Sequence, residues 1–148
     1  MTNLEIIDAL KACVAPCVLI SGAGLLILSV SNRLARPIDR IRLIVAHIKE
    51  NPNKATDAAK KQIKIFYKRC EFLRASIAFA TWHVICVSLI MLVLFLSVAL
   101  QIQVAAYVSA LFVIGLVCLI CSLVFFLLDI RLTLRSLEIE IEEAHKII

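Results

Sequence analysis

Two long stretches of the chain are apolar and carry no charge, and three others show apolar residues recurring at helical spacing. Ala12–Asn32 holds 21 residues without Asp, Glu, Lys or Arg, and Ala75–Leu128 holds 54. A helix needs about 20 apolar residues to cross the hydrocarbon core of a bilayer. The first stretch therefore predicts one crossing. The second predicts two, divided at its only polar break, Gln101–Gln103. The crossings are expected near residues 12–31, 76–99 and 105–128, the last two as a tight hairpin. Neither Gly nor Pro interrupts Thr56–Ala99, which predicts one helix of about 44 residues, roughly 66 Å long at 1.5 Å per residue. A membrane accounts for under half of that length.

Outside the crossings the apolar positions fall into stripes. Ile38, Ile41, Val45 and Ile48 form one, and Ala59, Ile63, Phe66, Cys70 and Leu73 a second. Ile130, Leu134, Leu137, Ile141, Ala144 and Ile148 form a third. Alternating steps of three and four residues are the spacing of a coiled-coil seam. Each crossing is thus expected to continue as a helix outside the bilayer, giving an all-α membrane protein with a helical stalk. Asn51–Lys54, "NPNK", reads as the turn between the first two extensions. Pro37 is expected in the first turn of its helix or at a bend after the first crossing. Pro16 is a candidate kink within that crossing. Thr2 and Glu5 have the spacing of a capping box.

Charge gives the stalk a side. Residues 33–74 contain twelve Lys/Arg and four Asp/Glu, whereas the rest of the chain holds four against seven. Basic residues close to crossings stay on the cytoplasmic side. The basic hairpin 33–74 and the acidic C-terminal helix 129–148 are therefore expected in the cytoplasm, with the N-terminus outside. "NRLARPIDRIR" places Arg33, Arg36, Arg40 and Arg42 directly behind the first crossing. These arginines are expected to lock orientation and to meet anionic lipid headgroups, with nucleic acid not expected as a partner. The start "MTNLEIIDALK" carries Glu5 and Asp8 ahead of Lys11, the wrong sign for a secretory signal, so the first helix is expected to be retained. Glu138, Glu140, Glu142 and Glu143 complement the basic hairpin. The stalk stripes are more than one chain can bury well, which predicts self-association or docking on a larger membrane complex.

Few residues carry candidate chemistry. His83 is expected inside the hydrocarbon, where an ionisable group is a functional candidate. As a neutral ring beside an anchoring Trp82 it would serve as a hydrogen-bond link to a neighbouring helix. It could also gate a pore, or ligate haem if two subunits each supplied one. Cys13, Cys17 and Ser21 make a strip of small side chains, continued by Gly24 in "SGAG", and are expected to let a helix approach closely. Cys118 and Cys121 are spaced like a redox pair but lie in an apolar run that leaves a thiol inert. Asp129 stands at a crossing end, where Arg131 or Arg33 could neutralise it. With no phosphate loop, activated serine or membrane carboxylate pair, neither catalysis nor a resident cofactor or metal is expected.

"SNRLARPIDRIR" after the first crossing and "LDIRLTLRSLEIEI" after the last resemble a bacterial membrane-protein family catalogued as domain of unknown function two-seven-two-one. The likeness rests on Asn32, Arg33, Arg36, Asp39, Arg40 and Arg42. It implies a small inner-membrane protein with three crossings and implies no reaction. Two functions remain open: a non-enzymatic scaffold or accessory subunit, and a homo-oligomeric ion channel in which His83 lines or gates a pore. The orientation has a direct check. A cysteine placed at Gln101 should react with a membrane-impermeant thiol reagent in intact cells and one at Asn53 should not; the reverse would invert the topology.

Overall fold

The computed structural model describes residues 11, 14–50, 57–100 and 103–145, with side chains described as far as Leu134 in the last helix. Three helices account for nearly all of them: α1 (Val14–Glu50), α2 (Asp57–Leu100) and α3 (Ala105–His145). No strand occurs among the described residues. Each helix has a segment long and apolar enough to cross a membrane. α2 is 44 residues long, as its freedom from Gly and Pro predicts. α3 starts where Val104 leaves the loop, its carbonyl accepting a bond from the Val108 N–H at 3.1 Å. Of the features named above, Cys13, the Thr2/Glu5 cap, the Asn51–Lys54 turn and Ile148 lie outside the described residues, as do the side chains of Ala59, Leu137, Ile141 and Ala144.

α1 corrects one expectation. Pro37 lies in the interior of a 37-residue helix, in neither a first turn nor a break. Its missing N–H leaves the Arg33 carbonyl without its intrahelical donor, a cost of about 3 kcal/mol in an isolated helix. Its ring is buried, and packing of this face keeps the helix going. Pro16 lies near the described start of α1 at Val14. His47 and Lys49 in the last turn face the negative end of the helix dipole.

The chain divides into two compact units, Met1–Leu28 with Ala78–Ser122 and Ser29–Ile77 with Leu123–Ile148. The interior of the first is built from small side chains. Ala23 of α1, Ala80 and Cys86 of α2, and Gly115 and Ser122 of α3 are buried there beside Val87 and Ile90. Lipid is as apolar as a leucine, so helices in a bilayer gain from close backbone approach rather than from hiding grease. The larger apolar residues of this unit, among them Trp82, Phe95, Tyr107 and Phe112, face outward.

In the second unit the buried groups are Val30 and Pro37 of α1, Cys70, Leu73 and Ser76 of α2, and Asp129 of α3. The inner face of α1 follows Val30, Leu34, Pro37, Ile41, Ile44 and Ile48, all buried or half-buried. Val45, which the sequence stripe assigns to the seam, is exposed, and Ile44 takes the position. On α2, Ile63, Phe66, Cys70 and Leu73 all turn inward. On α3, Leu134 is exposed and the inner face follows Phe125, Asp129 and Leu132. The stripe drawn through Ile130 and Leu134 misses this register because it counts apolar residues only, and the innermost residue here is a carboxylate.

Leu73 is 0% exposed whereas Leu25 is 70% exposed. Leu73→Ala should therefore lower unfolding free energy in detergent by about 2–5 kcal/mol, the range for a buried leucine. Leu25→Ala should change it by under about 0.5 kcal/mol. Equal losses would overturn the assignment of the inner face.

Candidate functional site: two buried polar centres

Four polar side chains are buried among the described residues: Ser76, His83, Ser122 and Asp129. Two of them, His83 and Asp129, carry titratable chemistry, one in each unit.

In the first unit, His83 of α2 is 2% exposed. Its Nδ1 lies 2.8 Å from the carbonyl oxygen of Gly115 on α3. A carbonyl only accepts, so Nδ1 carries the proton and Nε2 presents a lone pair. That carbonyl has a second lone pair beyond the one used inside α3, so the link leaves the helix ladder intact. Nε2 is itself buried, and nothing among the described residues bonds it. Gly115 gives the approach room. A β-carbon there would stand 3.3 Å from Cys86 Cβ, a tight contact, and 3.5 Å from His83 Nδ1, an ordinary one. A side chain at 115 would thus press chiefly on Cys86 of the adjoining helix. A ring held through Nδ1 is the posture metal-ligating histidines adopt. Among the described residues, however, no three His, Cys, Asp or Glu side chains converge to hold a metal ion.

In the second unit, Asp129 of α3 is 1% exposed and accepts a hydrogen bond from Nε of Arg69 on α2, at 3.2 Å. The two are 60 residues apart. Neither cation suggested by the sequence, Arg131 or Arg33, forms this pair. Arg33 instead lies over the ring of Phe126, with Cζ 5.2 Å from the centroid. Phe125, the next residue on α3, packs at 6.2 Å against Phe72 of α2. Lys68 Nζ stands 5.9 Å from the centroid of the Phe72 ring. Thr133 donates from its hydroxyl to the Asp129 backbone carbonyl at 2.9 Å. Asp129 therefore shares its stretch of α3 with a cation–π contact that reaches α1 and an aromatic pair that reaches α2. The Arg69 side chain is 16% exposed.

The remaining candidates are placed plainly. Arg33, Arg36, Arg40 and Arg42 are all exposed on α1. Cys17, Ser21 and Gly24 are also exposed, and nothing lies within 4 Å of a β-carbon built on Gly24. Among the described residues, Ala23 is the small residue of α1 that is buried. Ser21 donates instead to the carbonyl of Cys17, 3.1 Å away in its own helix. Cys118 and Cys121 are half-buried free thiols. Sequence reasoning missed Gly115 and Arg69. Gly115 had a signal, for Gly115, Ser122 and Asp129 recur every seven residues along a helix otherwise crowded with large apolar side chains.

Fold and buried polar groups together define a multi-pass helical membrane protein. The chain belongs to the family described as Protein of unknown function (DUF2721), which matches residues 13–139. No curated protein and no solved structure matches it.

The Arg69–Asp129 pair is asymmetric, and that sets its response to mutation. Arg69→Met strands a fully buried carboxylate, whereas Asp129→Asn leaves a cation that can turn to the surface. Chemical denaturation in detergent should show a loss of about 3–5 kcal/mol for Arg69→Met and clearly less for Asp129→Asn. The double change Arg69→Met/Asp129→Leu should recover most of the loss. A larger loss for Asp129→Asn would mean the carboxylate is not the constrained partner.

Proposed function

We propose that the protein is a non-enzymatic integral membrane protein that works by association, as a self-associating scaffold or as a small accessory subunit of a larger membrane complex. Its location is the inner membrane of a bacterium, with the N-terminus outside and the C-terminus in the cytoplasm. Residues 33–74 and the helix after Asp129 then form the cytoplasmic stalk, and the exposed arginines of α1 meet anionic headgroups.

The observation that carries this reading is the exposure of large apolar residues in the second unit. Leu43, Val45, Tyr67 and Leu134 are all exposed. In the proposed topology they stand on the arms beyond the crossings, where water and not lipid would meet them. Burying each would be worth roughly 1.5–3 kcal/mol, which a second protein surface can supply.

The channel reading draws less support. A His83 ring turned inward onto α3 presents nothing to a lumen between copies. The hydroxyls of Ser21, Ser88, Ser97 and Ser109 each donate to a carbonyl three or four residues back in their own helix. Hydroxyls satisfied in this way need no water to pair with. A haem shared by two copies of His83 would require its buried Nε2 to leave the α2–α3 packing.

Native mass spectrometry of the detergent-extracted protein tests the proposal. It should give more than one copy of the chain or a complex with a larger partner. Leu43→Glu combined with Tyr67→Glu should shift it toward the single chain. Liposomes containing the purified protein should pass no proton or cation current, and the protein should show no Soret band. A single-chain mass would overturn association, and a current lost in His83→Leu would replace the scaffold by the channel.

A further inference from the structure

The cationic groups around Asp129 are not all spent on it. The carboxylate accepts from Nε of Arg69, and among the described residues no acceptor bonds the two Nη groups of that side chain, which is 16% exposed. Arg33 rests with its planar face on Phe126. A guanidinium stacked in this way keeps its N–H edge open to an anion. Phe126 and Asp129 are three residues apart on α3, hence neighbours on adjacent turns. The two guanidinium groups are therefore brought to the same stretch of α3, Arg33 from α1 and Arg69 from α2.

Charge at this level is unbalanced. Within one helical turn of Arg33, Arg69 and Asp129, the sequence adds Arg36, Lys68 and Arg131 but only one further carboxylate, Glu71. The acidic end of α3 is out of range, since Glu138 lies nine residues beyond Asp129, about 13 Å along a helix. On the same helix Leu123, three residues before Phe126 and so on its face, is an exposed apolar residue. Two anchored arginines, a local cationic surplus and an adjoining apolar surface match an anion that carries hydrocarbon.

We propose that Arg33 and Arg69 clamp the phosphate of one anionic phospholipid, with its acyl chains running along Leu123. Phe126 and Asp129 are positioning residues: the ring orients Arg33, and the carboxylate turns Arg69 so that its Nη pair faces the headgroup. A planar fork suits two phosphate oxygens better than a lysine ammonium does. The proposal rests on the membrane placement given above and adds to it a single stoichiometric site in place of a diffuse basic belt.

The test uses the full-length protein in detergent, mixed in turn with phosphatidylglycerol, phosphatidylcholine and inorganic phosphate, with bound mass read by native mass spectrometry. The wild type should retain one phosphatidylglycerol per chain in preference to phosphatidylcholine, and millimolar inorganic phosphate should not displace it. Arg33→Gln and Arg69→Gln should each weaken retention about five-fold, the worth of one basic residue at an anionic surface. Lys64→Gln, an exposed charge elsewhere on α2, should leave it unchanged. Arg69→Lys should restore only part of the loss from Arg69→Gln. Arg69→Gln/Asp129→Asn keeps a neutral bond between α2 and α3 and should still lose the lipid, which separates a lost site from a lost fold. Equal losses from Lys64→Gln and Arg33→Gln would reduce the site to diffuse attraction and overturn the proposal. So would equal retention of phosphatidylcholine, or displacement by inorganic phosphate. Copy number is read from the same spectra, so failure of self-association and failure of the lipid site are separate results.

Discussion

A carboxylate with 1% of its surface exposed sets the terms for everything packed around it. Asp129 is held away from water, and an unpaired charge in that position costs several kcal/mol. It needs a cation, and Arg69 supplies it from α2. That requirement fixes which stretch of α2 lies beside which stretch of α3. Phe72 and Phe125 then meet, and Phe126 turns toward α1 where Arg33 covers it. The net stabilisation is small, because desolvation of both ions offsets most of their attraction. Alignment is the larger consequence. Apolar side chains tolerate sliding by a turn, but a buried charge does not.

The first unit meets the same need without charge. Its helices have little hydrophobic reason to associate in lipid, so small residues and a single polar link take over. Ala23, Ala80, Gly115 and Ser122 bring the backbones close. His83 then donates to the backbone carbonyl of Gly115, where a β-carbon would crowd Cys86. A hydrogen bond of this kind averages about 0.6 kcal/mol in a bilayer, so it too specifies more than it stabilises.

The sequence disclosed what depends on length and charge, and hid what depends on pairing. Charge-free runs marked three spanning helices because hydrocarbon thickness imposes a length, and the lack of Gly and Pro in α2 foretold its 44 residues. Seam registers were read less well. Stripes of apolar residues led through Val45 and Leu134, both exposed, because a pattern built on grease passes over an innermost Asp129. Arg69 could not be chosen as its partner from 60 residues away when Arg131 stood two residues off. Pro37 looked like punctuation, yet burial of its ring holds a helix that propensity alone would end. The strip at Cys17, Ser21 and Gly24 promised close approach, but small residues only permit a neighbour. In this chain the neighbours lie on the side of Ala23.

Exposure of apolar side chains carries different weight along the same helices. Phe95, Phe112 and Ile120 are bare, and in hydrocarbon that costs nothing, so their exposure argues for no partner beyond lipid. Leu43, Tyr67 and Leu134 are equally bare. Under the proposed topology they face water, where the same area is penalised at roughly 25 cal/mol per Å². Relief has to come from another protein surface, since neither the bilayer nor the described part of this chain covers them. The arginines follow the same logic in reverse. A cationic surplus is costly beside hydrocarbon and well matched to a layer of phosphate, so Arg33 and Arg69 gain most where headgroups begin. Apolar residues in water and cations at the headgroups thus point to different occupants, a protein for the arms and a lipid for the boundary.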